Sequence, residues 1–277
     1  MPELPEVETV ARGLAGPLEG RRLVKVETRV KALRWPLPKN LAQRLTGRRV
    51  LSVGRRAKYL LIRLDGDEVL LGHLGMSGRM LLVPPGETRA PEAHDHVVFT
   101  TEDGLEVRFN DARRFGMLDL VAEDALADHK LLRDLGPEPL GNAFSGPVLA
   151  AALAGKRTPI KAAILDQKVV AGVGNIYASE ALYAAGLSPR RLAHTVQGER
   201  AERLAEAIRE VLTRAIAAGG SSLRDYVQVT GELGYFAQQW AGYDREGQPC
   251  PGCDCGRAIR RLVQSGRSTF YCALRQR

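Results

Sequence analysis

Between about Arg21 and Val121 the apolar residues come in short runs, LVKVETRV, RRVLSVG, KYLLIRL, EVLLGHLG, RMLLV, HVVFTT, LEVRFND and GMLDLV, divided by Gly, Pro and Asp. Runs of this length with frequent turn residues predict strands of an antiparallel sandwich or barrel. Ahead of them, from about Pro5 to Leu14, the period lengthens: Val7, Val10 and Leu14 fall on one helical face, with Pro5 at the first position and Glu6 and Glu8 in the first turn. The segment Leu131 to Asn142, LLRDLGPEPLGN, breaks the strand rhythm with two prolines and two glycines and predicts a linker, dividing the chain into residues 1–135 and 136–277. Beyond it the pattern is helical. Thr158 reads as a cap, Pro159 as a first position, and Ile160, Ala163 and Ile164 as an apolar face; a second helix, from about Gly198 to Ala218, carries the stripe Leu204, Ile208, Leu212 and Ile216 and stops at Gly219. The fold class is α+β, a β-sandwich with an N-terminal helix followed by a helical domain.

The 277 residues leave room for two domains, and 44% hydrophobic with 26% charged residues is ordinary for a globular protein. A net charge of +8 points to a polyanionic partner, although basicity alone does not separate nucleic acid from an acidic membrane surface. Seven Lys or Arg and no acid lie between Arg44 and Arg63, and six Arg against one Asp between Cys250 and Arg277; two such distant runs favour a DNA-binding surface. No apolar h-region opens the chain and no stretch approaches 18 uninterrupted apolar residues, so neither a signal peptide nor a spanning helix is expected, and the expected location is cytoplasmic. All four cysteines lie between Cys250 and Cys272, which suits a metal site in a reducing compartment better than a disulfide framework.

The opening octet, MPELPEVE, carries the most specific chemistry. Removal of Met1 would leave Pro2 as a secondary amine beside the carboxyl of Glu3. An α-amino group titrates at roughly 7.7 to 8.0, so a useful fraction is unprotonated near neutrality, and such an amine attacks an electrophilic sugar carbon to give a Schiff base. The positive end of the following helix disfavours its protonated form. Read without further context, the same residues are simply a terminus ahead of a capped helix.

Together with RRAKYL, HLGMSG, RRFG, GVGNIYASEAL, GYFAQ and the terminal cysteine segment, this opening resembles the formamidopyrimidine-DNA glycosylases from end to end. The resemblance implies removal of oxidised purines (8-oxoguanine, formamidopyrimidines) from double-stranded DNA, and action on abasic sites by an accompanying lyase. In it Pro2 is the nucleophile, Glu3 the general acid and Lys58 a proton-transfer aid near the reacting sugar, with Arg56, Lys58 and Leu60 on one face of a predicted strand. Arg267, in GRSTFYC, matches the hairpin arginine that grips the phosphates around the lesion and completes the catalytic set. Met76, Phe115 and Arg113 match the residues that fill the void left by a flipped base, Arg113 reading the opposite base; Ala112 stands where the family commonly has proline. Arg114 and His94 would contact phosphate, as would Asn175, Lys161 and Arg157 around a helix-two-turn-helix at about 158–187. The Ser221–Tyr243 stretch would cap the flipped purine. Its presence favours this branch over the endonuclease VIII-like enzymes for oxidised pyrimidines, which remain the alternative, with a non-catalytic damaged-DNA-binding protein as a third reading.

The last segment, at about 243–277, looks like a zinc-finger hairpin, but where the family has its fourth cysteine this chain has Arg275. An extra cysteine, Cys255, follows Cys250 and Cys253, so Cys250, Cys253, Cys255 and Cys272 are the expected ligands of one structural zinc. An incomplete site, or three cysteines completed by water, stays open at this point. No redox or nucleotide cofactor is expected, and the protein is expected to act as a monomer.

Overall fold

The computed structural model of the protein describes residues 1–87, 89–221 and 228–277. Two compact units emerge: Met1–Arg133 joined by Ala218–Tyr235, and Asp134–Ala217 joined by Phe236–Arg277.

The first unit begins with helix α1 (Leu4–Leu18), whose buried side chains include Val7, Val10, Leu14 and Leu18. The strands follow: β1 (Leu23–Thr28), then, after the short helix α2 (Leu41–Leu45), β2 (Val50–Arg56), β3 (Tyr59–Leu64), β4 (Glu68–His73), β5 (Arg79–Val83), β6 (Asp95–Thr101), β7 (Glu106–Asn110) and β8 (Met117–Ala122). Each apolar run read from the sequence forms one of these strands. They make two antiparallel four-stranded sheets, in the orders β1-β6-β7-β5 and β2-β3-β4-β8. Their inner faces share one core with α1, in which Val10 and Leu14 meet Leu60 and Leu70 of one sheet and Val97 and Phe109 of the other. Each such side chain contributes roughly 1.5–3 kcal/mol on burial.

A contiguous split at about residue 135 leaves out one feature. Gly219 and Gly220 both adopt left-handed φ, 74° and 83°, a conformation glycine reaches without a Cβ clash. At this point the chain leaves the helical unit, and Val229 joins the sandwich core. Its carbonyl accepts a hydrogen bond from Leu82 N at 3.0 Å, and a Cβ on Gly13 of α1 would overlap its side chain.

The second unit contains α3 (Gly146–Leu153), α4 (Ile160–Leu165), α5 (Asn175–Ala184) and α6 (Glu199–Ala217), then the hairpin β9 (Arg260–Gln264) and β10 (Arg267–Tyr271). Helix α4 starts one residue later than predicted, with Pro159 and not Thr158 at the N-cap. Along α6, Leu204, Ile208 and Leu212 are buried as the stripe predicts, whereas Ile216 is only half-buried. Helix α5 is buried on almost every side, from Ile176 to Tyr183. No described helix is long and apolar enough to cross a membrane.

Candidate active site and cysteine centre

Glu3 is the N-cap of α1, in extended conformation, and forms a reciprocal capping box with Glu6. The Glu6 carboxylate accepts the Glu3 N–H at 2.8 Å and the Ser221 N–H at 2.8 Å. Buried at 2% exposure, Glu6 therefore fixes the direction in which the chain enters the helix and where the terminus lies. The sequence shows it only as a first-turn acid; its spacing of three from Glu3 is the signal of the larger role. Pro2 is buried and Met1 half exposed. Around the sandwich face of α1, the Arg55 guanidinium pairs with Glu8 at 2.6 Å and tethers the end of β2 to the helix.

Lys58 does not lie on a strand. Arg56 pairs with Tyr59, so Ala57 and Lys58 are the two central residues of the β2-β3 hairpin, Ala57 taking φ 53°. The period-two reading fails here because KYLLIRL carries no glycine or asparagine to announce a tight turn. Lys58 is nonetheless buried, at 7% exposure, and not a solvent-facing lysine. Close by is His73, at the end of β4, whose ring packs on Tyr59 with centroids 5.0 Å apart. Burial, reinforced by the charges of Lys58 and Arg34, lowers its pKa to about 4, so it is neutral at physiological pH, and its Nδ1 accepts the Gly75 N–H at 2.9 Å. His73 opens the motif HLGMSG, but nothing in the local sequence marks it as a site residue.

His73 lines a cavity of about 570 Å³ together with Met1, Arg34, Met76, Arg114 and Phe115. Met76 and Phe115, both large apolar side chains, keep 38% and 43% of their surface exposed. Arg113 stacks its guanidinium on the Phe115 ring at 4.8 Å. Arg114 is exposed in left-handed backbone, φ 55°, and His94 is exposed in the turn just ahead of β6, with its ring 6.3 Å from that of His96. Of the segment expected to cap a flipped base, residues 222–227 lie outside the described residues.

In the helical unit the Lys161 side chain is 1% exposed. Its ammonium donates to Asn175 Oδ1 at 2.7 Å, the Ser268 carbonyl at 2.9 Å and Thr269 Oγ1 at 2.8 Å, while Asn175 Nδ2 donates to the same carbonyl at 3.1 Å. Lys161 thus ties α4, the first residue of α5 and β10 together. Arg267 opens β10 and is exposed directly after the turn Ser265–Gly266; Arg157 is exposed ahead of α4.

The four cysteine sulfurs lie within 4.8 Å of one another. Cys253 is 3.4 Å from Cys250 and 3.7 Å from Cys272, and Cys255 is 3.7 Å from Cys272. Arg275 stands beside the cluster without ligating: its backbone N–H donates to Cys272 Sγ at 3.4 Å, its guanidinium donates to the Gly252 carbonyl at 2.7 Å and lies 4.9 Å over the Tyr183 ring. The Tyr183 hydroxyl is 3.1 Å from Cys250 Sγ. On the other side, Glu180 of α5 accepts the backbone N–H groups of Ala241, Gly242 and Tyr243 at 2.7 to 2.9 Å, holding the chain that leads into the cysteines.

A sandwich whose first helix is capped by the residues of its own terminus, in one chain with a helical unit closed by a four-cysteine hairpin, defines a DNA glycosylase of the helix-two-turn-helix class. Residues 1–118 match the N-terminal domain of formamidopyrimidine-DNA glycosylase and residues 135–227 its H2TH domain. The chain belongs to the formamidopyrimidine-DNA glycosylase family. It is 60% identical to the formamidopyrimidine-DNA glycosylase of Rhodospirillum centenum, with all of both chains covered. Among solved structures it resembles MutM (Fpg) from Thermus thermophilus, at 42% identity and TM-score 0.87 over 99% of this chain and 98% of that one. The wild-type Lactococcus lactis Fpg in complex with DNA containing N7-benzyl-Fapy-dG is 31% identical, with a TM-score of 0.89 over 99% of each chain.

Proposed function

We propose that this glycosylase excises oxidised purines, 8-oxoguanine and formamidopyrimidines, from duplex DNA and then cleaves the resulting abasic site. The observation that carries the reading is the terminus: Pro2 buried, Glu3 as N-cap, and Glu6 holding the Glu3 N–H. Once Met1 is removed, the Pro2 nitrogen attacks C1′ of the damaged nucleotide as the glycosidic bond breaks and the base leaves with its electron pair. The Pro2 nitrogen passes its proton to the departing base, Glu3 protonates the sugar ring oxygen, and the freed nitrogen lone pair opens the ring to form an iminium with C1′. That iminium acidifies the C2′ proton, so its removal expels the 3′ phosphate; a second elimination expels the 5′ phosphate, and water releases Pro2. Lys58, buried beside this region of the sandwich, assists proton transfer. Met76 and Phe115 occupy the space the flipped base vacates, Arg113 addresses the orphaned partner, and His94, Arg114, Arg157, Asn175 and Arg267 hold phosphates. Lys161 contributes chiefly by holding Asn175 and β10.

The cysteine cluster fits zinc. A tetrahedral zinc with bonds of about 2.3 Å places its sulfurs roughly 3.8 Å apart, close to the separations of Cys250, Cys253, Cys255 and Cys272. Four thiolates close such a site, which makes its role structural. The protein works as a monomer and requires no redox or nucleotide cofactor.

Borohydride added during reaction with an 8-oxoguanine duplex should trap a protein-DNA adduct that maps to Pro2, and protein retaining Met1 should trap none. Equal trapping with Met1 in place would refute the mechanism.

A further inference from the structure

The loops bearing Met76 and Phe115 are separate crossings between the two sheets, from β4 to β5 and from β7 to β8, yet they are joined through one buried carboxylate. Asp111, at the end of β7, is fully buried. One of its oxygens, Oδ1, accepts the Ser77 hydroxyl at 2.6 Å; the other, Oδ2, accepts the Gly116 N–H at 2.7 Å. Ser77 Oγ in turn accepts the Arg113 N–H at 3.2 Å. Ser77 immediately follows Met76, and Arg113 and Gly116 bracket Phe115, so each arm of the carboxylate grips one loop. The Asp111 backbone is held as well: its N–H donates to the His94 carbonyl, and its carbonyl faces His96 Nε2 at 2.8 Å. Backbone packing reinforces the link, since a Cβ on Gly75, whose φ is 62°, would collide with the Phe115 carbonyl group and the Gly116 nitrogen. His73 Nδ1 secures the same Gly75 from the other side.

Charge-assisted hydrogen bonds are short and about twice as strong as neutral ones, and those of the buried Asp111 bridge two otherwise independent loops. We propose that Asp111 and Ser77 are positioning residues that make the two loops a single rigid wedge, so that Met76, Phe115 and Arg113 enter the duplex together and opposite-base selectivity depends on their joint placement. This inference rests on the void-filling role given above to those three side chains. Neither Asp111 nor Ser77 touches the reacting atoms.

The test compares Ser77→Ala with Ser77→Thr, which keeps the hydroxyl, and with Met76→Ala, which removes the wedge itself. Two readouts are followed: fluorescence of 2-aminopurine placed next to the lesion, as a report of base extrusion, and the ratio of excision opposite cytosine to excision opposite adenine. Cleavage of an abasic site in single-stranded DNA, where no partner base has to be displaced, normalises both, and thermal unfolding confirms that each variant is folded at the assay temperature. Ser77→Ala should slow extrusion about tenfold, the rate equivalent of one buried charge-assisted hydrogen bond, and should bring the cytosine-to-adenine ratio towards one, while Ser77→Thr restores both. Should Met76→Ala slow extrusion and Ser77→Ala leave rate and preference at wild-type values, the brace is not needed and the proposal is overturned. Should Met76→Ala itself have no effect, the void-filling reading fails first and the proposal goes with it.

Discussion

Lys161→Met removes an ammonium and keeps most of the volume, so it isolates what the charge does. Among the described contacts three acceptors lie on it, at 2.7, 2.8 and 2.9 Å. A hydrogen bond to a charged group is worth about 1.5–3 kcal/mol, but the three losses do not add in full. The Ser268 carbonyl keeps Asn175 Nδ2 at 3.1 Å, the Thr269 hydroxyl can turn, and methionine escapes the desolvation penalty that a buried ammonium carries. What remains is mainly the loss at Asn175 Oδ1 and the freed hairpin, roughly 2–3 kcal/mol. With a urea slope of about 2–3 kcal/mol/M, the helical unit's unfolding midpoint should fall by about 1 M. Lys161→Arg should not rescue it, because a planar fork cannot satisfy three acceptors arranged around a point. DNA affinity measured against salt on the same protein separates this from a phosphate contact, whose loss would lower the slope of log K against log salt by about 0.9. An unchanged urea midpoint together with a slope reduced by one contact would refute the tether and make Lys161 a DNA ligand.

Arg267→Ala, exposed at the hairpin turn, should give the opposite result: a midpoint near wild type and a salt slope lower by about 0.9. Metal analysis of the purified protein should find about one zinc per chain, and Cys255→Ser should lower retention in chelator as much as Cys250→Ser; full retention in Cys255→Ser would exclude Cys255 as a ligand. His73, lowered to about 4 against an ordinary 6.5, binds fewer protons folded than unfolded between those values. Its contribution to stability is therefore full above about 6.5 and is lost as pH falls towards about 4, up to roughly 3 kcal/mol in all. Thermal unfolding across that window should show a slope that His73→Gln flattens, and an unflattened slope would assign it to other groups.

The strands of the sandwich were legible because each is a short apolar run closed by Gly, Pro or Asp, and β3, β4 and β6 are buried along most of their length, so the run itself marks the strand. Lys58 escapes that pattern for the complementary reason: a two-residue turn made of Ala57 and Lys58 has no turn chemistry of its own and is imposed by the strands on either side. Exposure of Met76 and burial of Lys161 are both reversals of the usual preference for their residue types. Neither can be read from local sequence, since the first depends on a loop held out by backbone packing and the second on acceptors up to 108 residues away. The closure of the cysteine cluster by Cys255 was legible because all four cysteines of the chain fall in one short segment. The excursion at 218–235 was not, because glycine-rich loop sequence says nothing of which unit it will join.

That excursion also sets an order of events during synthesis. Residues 1–133 leave the ribosome first, but Val229, which completes their core, and Ser221, which ties Glu6, emerge only after the whole of 134–217. At bacterial elongation rates the delay is on the order of ten seconds. Throughout that interval the sandwich lacks Val229 and its first helix is held by one partner fewer. On the mechanism proposed above, the Pro2 amine would be released before the Ser221 N–H closes on Glu6, and its position is fixed only when nearly the entire chain exists.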